Sequence, residues 1–377
     1  MEKIDNIYDS ICEFDNIWNA FRKVNRGKNR YTNESKEFCK ETINNLLKIQ
    51  RDLKNLTVKQ VKYTSFEITK PKRRLIFAPD FYSKIIQISI NNKLMPKIEK
   101  ILIKDTYASI KGRGTHKAAD KIQYNMRCAK RKWGDISYTL KLDIKKFFYN
   151  IDRDIMKSIY RKYIKDERLL LLLDLITDSA EQIGNKGLPL GNTISQLSAN
   201  LYLNELDHYL KRRFSLRYYV RYMDDIIIQV ESKEKALDVL NEARRFLKTN
   251  LNLELNENKS QYQKIGKCVN SVGYKIWTTH RKLRLSSKKS FKSIIKESDI
   301  DKYKRRIVSW LGSATKASHY RYLINNTSRL SQQRVNALSN AYYKITGTPL
   351  IPPTGEFCES RSHKNKKGTN KHEKQTN

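Results

Sequence analysis

The sequence has no closely spaced pair of cysteines. Its five cysteines are scattered along the chain and odd in number. This pattern excludes the spacing of a zinc clip or a CxxC redox motif. We therefore expect free thiols in a reducing compartment. The cysteines are Cys12, Cys39, Cys128, Cys268 and Cys358.

Long apolar runs are also missing. The longest, LLLLLD at residues 169–174, is far shorter than the roughly 20 apolar residues of a transmembrane helix. The N-terminal residues MEKIDNIYDS are acidic and polar, unlike a signal peptide. We therefore expect a cytoplasmic protein without a membrane partner.

Acidic residues are scarce relative to basic ones. The 377 residues include 76 Lys and Arg but 39 Asp and Glu, a formal net charge of +37. An excess of this size favours a polyanionic partner, because Lys and Arg release counterions when they neutralise phosphates. A ribosome-associated or simply soluble basic protein is equally compatible with the composition. The hydrophobic fraction of 39% is sufficient for a packed core.

Hydrophobic periodicity divides the chain into helical and β-rich segments. Apolar residues recur at helical spacing in one set, and they alternate with polar residues in the other. From residue 354 onward almost no apolar residues remain, which indicates a disordered tail. The predicted helices lie at residues 1–60, 82–103, 153–180, 193–214, 232–250 and 296–346. The predicted strands and hairpins lie at residues 61–80, 136–148, 218–230 and 271–277, the last together with the basic segment that follows it.

Two adjacent acids, Asp224 and Asp225, lie between β-rich runs. Neighbouring residues on a strand point to opposite faces, so both acids can serve one site only at a tight turn. A third acid, Asp143, ends another β-rich run upstream. Carboxylates at the ends of neighbouring strands can hold two Mg²⁺ ions about 4 Å apart. The alternative for the acid pair alone is a solvated turn.

Five segments resemble the successive palm motifs of reverse transcriptases, in the same order, and the resemblance spans residues 60–320. It implies an RNA-directed DNA polymerase with an α+β, right-hand fold, in which a small antiparallel palm sheet packs on helices. The segments are LKLDIKKFFYNID, GLPLGNTISQLSANLYLNELD, RYMDDIII, LNLELNENKSQ and SVGYKIW. The implied regions are an N-terminal helical extension (1–60), fingers (61–135), palm (136–280, with 153–192 partly fingers), helical thumb (281–348) and a disordered basic tail (349–377).

The resemblance also implies a role for individual residues. Two Mg²⁺ ions, replaceable by Mn²⁺, would be held by Asp143, Asp224, Asp225 and the carbonyl of Ile144. Lys259 corresponds to the lysine that protonates the leaving pyrophosphate.

Other residues correspond to those that bind the nucleotide and the primer. Phe148 corresponds to the aromatic gate that excludes a 2′-hydroxyl, although core packing is the alternative. Arg74 corresponds to the arginine that clamps the triphosphate. Lys72 either assists Arg74 or is a solvated charge. The remaining expected nucleotide-binding residues are Phe147, Leu190, Gly191 and Gln196, and the expected primer grip is Gly273 and Tyr274.

One departure from the common pattern points to a subfamily. Most reverse transcriptases have Gln-Gly and a later Ser-Pro in the fourth motif, whereas this sequence has Leu190-Gly191 and a later Ser195-Gln196. This motif resembles the enzymes of diversity-generating retroelements, which are encoded by bacteria, archaea and phages. The segments TYASIKGRGTH, VGYKIWTTHRKLRLSS and SWLGSATKASHY resemble them too.

That resemblance implies particular partners and an error-prone product. The enzyme would copy a template RNA into cDNA from dNTPs, with errors at template adenines, together with a small basic accessory variability protein that forms oligomers. Leu190 cannot hydrogen-bond as glutamine does, so it would discriminate less against a misaligned pair; simple packing beneath the palm is the alternative. Two other functions stay open: a retron or antiphage-defence reverse transcriptase, and a non-catalytic RNA-binding protein that kept a polymerase fold.

Overall fold

The computed structural model describes residues 2–69, 73–180, 186–327 and 330–350, and the chain folds into two compact units. The described residues up to 284 form the first unit, and those from 285 onward form the second. Among the described residues, no helix combines the length and apolar character needed to cross a lipid bilayer.

The chain begins with four short helices that pack on a long one. Aromatic rings fill the space between them: the centroids of Phe21 and Phe38 lie 5.7 Å apart, and those of Phe38 and Phe81 lie 5.1 Å apart. A 3-10 helix covers Gly27–Tyr31, and the prediction of helices in residues 1–60 is confirmed. The helices are α1 (Tyr8–Cys12), α2 (Phe14–Val24), α3 (Asn33–Lys40), α4 (Thr42–Lys54) and the long α5 (Phe81–Ile101).

A two-stranded hairpin precedes α5. Strand β1 (Tyr63–Ile68) pairs antiparallel with β2 (Arg74–Pro79), as predicted for residues 61–80. The Asp80 side chain then begins α5, because it accepts a hydrogen bond of 2.9 Å from the Ser83 backbone N–H. The basic tip of the hairpin, which includes Lys72, lies outside the described residues.

The central sheet has four antiparallel strands in the order β4-β5-β3-β6. It combines β3 (Tyr138–Asp143), β4 (Tyr218–Tyr222), β5 (Asp225–Val230) and β6 (Gln261–Lys264). Alternation along β3 buries Leu140 and Leu142 on one face. A small antiparallel sheet among helices is the α+β architecture that the sequence predicted.

Helices form most of the rest of the first unit. Four of them, α8 to α11, begin at polar side-chain caps: the Asn192 side chain accepts 2.8 Å from the Ile194 N–H at the start of the longest. These helices are α6 (Thr115–Trp133), α7 (Phe147–Asn150), α8 (Arg153–Tyr163), α9 (Glu167–Asp178), α10 (Thr193–Phe214) and α11 (Lys233–Leu251).

A second, three-stranded sheet ends the first unit. It contains β7 (Val269–Ser271), β8 (Tyr274–Ile276) and β9 (Arg281–Leu283), all antiparallel. The sequence predicted one hairpin here, and the structure adds β7 to it. The sheet is tied to α6, since Gln123 Nε2 donates 3.1 Å to the Trp277 carbonyl and Arg127 Nε donates 2.9 Å to the Thr278 carbonyl.

The second unit is helical over its described residues. Phe291, Tyr303 and Leu311 are buried in it, and Trp310 Nε1 donates 2.9 Å to the Ser287 carbonyl. The prediction of helices in residues 296–346 is confirmed, and nearly all of the predicted disordered tail lies outside the described residues. The helices are α12 (Leu285–Ile294), α13 (Ile300–Ala314), α14 (Tyr320–Thr327) and α15 (Gln332–Thr346).

Candidate active site

The adjacent acids lie at the turn between β4 and β5. Tyr222 pairs with Asp225 across the hairpin, so Met223 and Asp224 form the turn. Met223 has a φ of +51°, the left-handed conformation that such tight turns require. The turn therefore places two carboxylates at one end of the central sheet, which an uninterrupted strand could not do.

Asp143 lies directly beside this turn. It is the last residue of β3, and it pairs across the sheet with Asp225, the first residue of β5. Antiparallel pairing thus brings the end of one strand against the beginning of its neighbour. The three predicted acids are brought together by backbone register.

The carboxyl pKa of Asp224 is raised to about 6, and burial is the largest cause. The carboxylates of Asp143 and Asp225 raise the pKa of Asp224 as well, because like charges disfavour ionisation. A hydrogen bond from its own backbone and the charge of Lys259 act in the opposite direction.

Asp143 is held by a lysine and by the loop before β6. Lys259 Nζ donates 3.1 Å to Asp143 Oδ2, and the Asp143 backbone N–H donates 3.1 Å to Ser260 Oγ. The Asn256 N–H donates 2.7 Å to the Asp143 carbonyl. Lys259, predicted from its motif alone, is therefore in direct contact with the acid cluster.

The Asp225 carboxylate has different partners. Ser271 Oγ donates 2.6 Å to its Oδ2. Its Oδ1 lies 3.2 Å from Lys141 Nζ, an ion-pair contact without hydrogen-bond geometry, so this buried oxygen accepts no hydrogen bond from the described residues. A buried carboxylate oxygen in that state is suited to a cation.

The donor set fits a divalent metal chemically, although its geometry is not preformed. Across the described ranges, no three Asp, Glu, His or Cys side chains are arranged as a metal-binding cluster. Carboxylate oxygens are the ligands that Mg²⁺ prefers. The carboxylates of Asp143 and Asp225 add to the effect of burial on the pKa of Asp224, and a bound cation would offset their charge. Ile144 pairs with Leu255 in an isolated antiparallel bridge. The two backbone hydrogen bonds of this bridge are made by the residues on either side of Ile144, and neither uses the Ile144 carbonyl.

A cavity of about 1270 Å³ in the first unit surrounds the acids. Phe148 is half-buried at the cavity wall, and Phe147 is buried in the core. The centroids of these two rings lie 5.4 Å apart. The lining of the cavity includes most of the predicted site residues: Arg74, Asp143, Ile144, Phe147, Phe148, Leu190, Asp224, Asp225, Lys259 and Gly273.

A sequence model described as reverse transcriptase (RNA-dependent DNA polymerase) matches residues 59–314, more than half of the chain. The chain belongs to the reverse transcriptase family. The predicted family is thereby confirmed, together with a fold class of small antiparallel sheets among helices. The matched residues include Asp143, Asp224 and Asp225, so these three acids lie in the reverse transcriptase domain.

Two curated relatives share part of this reverse transcriptase sequence. The Retron Ec48 reverse transcriptase of Escherichia coli is 27% identical, over 44% of this chain and 40% of the relative. The COX1/OXI3 intron 2 protein of Saccharomyces cerevisiae is 24% identical, over 38% of this chain and 24% of the relative. The chain thus spans less than half the length of either relative. Neither match distinguishes the diversity-generating subfamily, which stays a prediction.

Solved structures of telomerase are also similar to this reverse transcriptase. Apo telomerase from Candida tropicalis gives a TM-score of 0.49 at 14% identity, over 77% of this chain and 59% of that chain. Telomerase from Candida albicans, solved with a fragment of telomeric RNA, gives a TM-score of 0.45 at 11% identity, over 80% of this chain and 61% of that chain.

The loop before α10 joins the β1–β2 hairpin to the cavity. The Phe77 N–H donates 2.8 Å to the Leu190 carbonyl. Gly191 has a φ of +113°, and a Cβ there would lie 2.9 Å from Ile76 Cγ2 and 3.1 Å from the Phe77 carbonyl oxygen. Only glycine allows this close approach of the two segments.

Three predicted site residues of the reverse transcriptase lie outside the cavity lining that the described residues form: Gly191, Gln196 and Tyr274. Gln196 Oε1 accepts 3.0 Å from Ser109 Oγ. Tyr274 is buried, and its hydroxyl lies 2.9 Å from His116 Nδ1 on α6. Gly273, in contrast, lies in the turn that borders the cavity.

Several residues that contact the acids or line the cavity were not predicted from the sequence. Lys141 precedes Asp143 by two positions, so the strand period alone would have placed both on one face. Ser271 had no such signal, because its contact with Asp225 joins separate sheets. Arg73 and Arg284 also line the cavity of this reverse transcriptase.

Proposed function

We propose that the protein is an RNA-directed DNA polymerase that extends a primer with dNTPs on an RNA template. The observation that carries the proposal is the convergence of Asp143, Asp224 and Asp225 at one end of the central sheet, inside the cavity. The formal charge of +37 supports a nucleic-acid substrate. We place this activity in the cytoplasm.

Asp143, Asp224, Asp225 and the Ile144 carbonyl would hold two Mg²⁺ ions, for which Mn²⁺ can substitute. Divalent metal bound there supplies the charge that activates a 3′-hydroxyl and offsets the charge of the leaving pyrophosphate. Asp143 and Asp225 contact Lys259 and Lys141 in the structure. These lysines neutralise the acids that the metal would otherwise neutralise.

Residues around the acids would orient the nucleotide. Arg74 would bind the triphosphate as a bidentate donor, and Lys259, released from Asp143, would donate a proton to pyrophosphate. The half-buried ring of Phe148 would fill the space that a 2′-hydroxyl needs. Phe147 lies behind that ring, and Gln196 and Gly191 would act through the loop that carries Leu190.

The two compact units are compatible with the polymerase regions proposed from the sequence. We propose the extension (1–60), fingers (61–135) and palm (136–280, partly fingers at 153–192) in the first unit. The proposed thumb (281–348) contains α12–α15 and begins near the division after residue 284. The tail (349–377) has no proposed catalytic role.

Extension of oligo(dT) on poly(rA) in the presence of Mg²⁺ tests the proposal. We expect wild type to incorporate dTTP, and Asp224→Asn to lose at least about 100-fold of the rate, because one acid of the cluster is gone. Mg²⁺ should also raise the melting temperature of wild type more than that of Asp224→Asn. Asp238→Asn, an exposed acid on α11, is the matched control. Equal incorporation by wild type and Asp224→Asn would favour the non-catalytic RNA-binding protein.

We further propose the diversity-generating subfamily, with cDNA errors at template adenines and a small basic accessory variability protein as partner. The Leu190-Gly191 and Ser195-Gln196 motif supports this, and Leu190 lines the cavity. The experiment is to sequence cDNA made by Leu190→Gln. We expect fewer errors at adenines in that variant, because glutamine restores hydrogen bonds that hold pair geometry. An adenine error rate equal to that of wild type would show that Leu190 does not cause the errors.

A retron or antiphage-defence reverse transcriptase is the second candidate. The match to the Retron Ec48 reverse transcriptase favours it. Neighbouring DNA distinguishes the two: paired near-identical repeats that differ mainly at adenines indicate the diversity-generating type. Their absence beside the gene, together with accurate copying of adenine, would favour the retron or defence type.

A further inference from the structure

Lys141 lies on the same face of β3 as Asp143, because side chains two residues apart on a strand point the same way. Its side chain is 17% exposed. A largely buried ammonium group is stable only when polar groups replace its water. Lys141 Nζ donates 2.7 Å to the Asn270 carbonyl and lies 3.2 Å from Asp225 Oδ1. One lysine thus joins β3, β5 and β7.

Ser271 makes a second connection to the same carboxylate. Its hydroxyl donates 2.6 Å to Asp225 Oδ2, and the residue is buried. Each carboxylate oxygen of Asp225 is therefore linked to β7. Oδ2 accepts the hydrogen bond from Ser271, and Oδ1 faces Lys141, which donates to the Asn270 carbonyl.

These contacts matter because β7 belongs to a different sheet. The β7–β8–β9 sheet shares no strand pairing with the central sheet. Its turn, Val272–Gly273, borders the acid cavity. On the β8 side Tyr274 holds the turn to His116 of α6, with 2.9 Å between the hydroxyl and Nδ1. On the β7 side Lys141 and Ser271 hold it to Asp225.

We infer that Lys141 is a positioning residue, which sets the distance between the β7–β8 turn and the acid cluster. The inference rests on the proposed function and on the expectation from the sequence that Gly273 and Tyr274 form the primer grip. Gly273 borders the cavity, whereas Tyr274 is buried and holds the turn to α6. Lys141 touches no substrate in this role. It fixes the surface against which the primer end would lie, so its loss should weaken binding of the primer–template duplex before it affects nucleotide binding.

The test compares duplex binding by Lys141→Met and Lys130→Met. Lys130 forms an exposed ion pair of 2.8 Å with Asp135, so its variant removes the same charge far from the turn. The probe is a fluorescent DNA primer on an RNA template, with anisotropy measured in EDTA. We expect the Kd of Lys141→Met to rise about tenfold over that of Lys130→Met, the effect of losing one charge-assisted hydrogen bond. KM for dTTP at saturating duplex should stay within about twofold of wild type.

Two more variants separate positioning from folding. Lys141→Arg keeps a cation that can reach both partners, and we expect it to restore most of the duplex affinity. Ser271→Ala should weaken binding in the same direction, and the double variant should lose less than the sum of the single losses, because both residues act through Asp225. A purely structural role would lower the melting temperature without changing the Kd of the folded fraction.

Equal Kd values for Lys141→Met and Lys130→Met would overturn the inference. If Lys141→Met does not fold, Ser271→Ala decides: binding equal to wild type overturns the inference, and weakened binding supports it. Failure of the polymerase proposal is distinguishable. A wild-type chain that binds the duplex but incorporates no dTTP removes the proposed activity, whereas the binding comparison still tests Lys141.

Discussion

Arg221 and Asp207 form an ion pair of 2.7 Å in which both side chains are fully buried. Arg221 lies on β4 just before the acid turn, and Asp207 lies on α10. The guanidinium also donates 3.0 Å to the Asn200 side-chain oxygen and 3.0 Å to the Asn200 backbone carbonyl. The Tyr219 hydroxyl donates 2.7 Å to Asp207. The turn that carries Asp224 is therefore anchored by a charge network inside the protein.

Removal of one partner of this pair should be strongly destabilising. We expect Arg221→Met to lower the free energy of unfolding by about 3–5 kcal/mol, because it leaves the Asp207 carboxylate buried without its cation. Urea denaturation measures the change. Lys40→Met, which removes an exposed pair with Glu37, should change it by less than about 1 kcal/mol. A loss of that small size for Arg221→Met would contradict the assigned role.

Asp224 should make stability depend on pH. Its pKa is raised from 3.8 to about 6 in the folded protein. A raised carboxyl pKa lowers stability above about pH 6, and the penalty shrinks as the pH falls and vanishes below about pH 4, where both states carry the proton. We therefore expect Asp224→Asn to melt at a higher temperature than wild type at pH 8, with the difference declining toward pH 4.

The measurement is differential scanning fluorimetry across that pH range without divalent metal. Asp238→Asn serves as the comparison, because Asp238 is exposed on α11. A melting difference between wild type and Asp224→Asn that stays constant from pH 4 to pH 8 would show that the raised pKa is not present in solution.

Gly191 should be required for the junction between the β1–β2 hairpin and the cavity. In Gly191→Ala the new Cβ would meet Ile76 Cγ2 at 2.9 Å with φ at +113°. We expect a loss of about 1–3 kcal/mol in stability, and a higher KM for dNTP because β2 and Arg74 must shift. Gly266→Ala is the control, since a Cβ there has nothing within 4 Å. Wild-type KM in Gly191→Ala would argue against this junction.

Phe148 should select the sugar of the incoming nucleotide. We expect Phe148→Ala to raise the ratio of rNTP to dNTP incorporation by about 10- to 100-fold, because the shortened side chain leaves room for a 2′-hydroxyl. Single-nucleotide extension with dTTP and UTP gives the ratio. Phe246→Ala, a half-buried phenylalanine on α11 outside the acid cavity, should leave it unchanged. An unchanged ratio in Phe148→Ala would return Phe148 to a packing role.

Local patterns predicted much of the fold. Alternation in residues 136–148 indicated the strand that became β3, and the adjacent acids between β-rich runs indicated the β4–β5 hairpin. Strand β6 was not predicted, because QYQK is polar and short. Its place beside β3 depends on pairing with a strand far away in the chain, which periodicity within a segment does not encode.

The amino-acid sequence by itself determined the charge, the order of the motifs and the identity of the three acids, since these are properties of composition and local spacing. It also determined membership of the reverse transcriptase family. Only the tertiary structure decided that Asp143 faces Asp225, and that Lys141 joins Asp225 to the Asn270 carbonyl. Such contacts depend on strand register and on how separate sheets pack, and neither is encoded in any one segment.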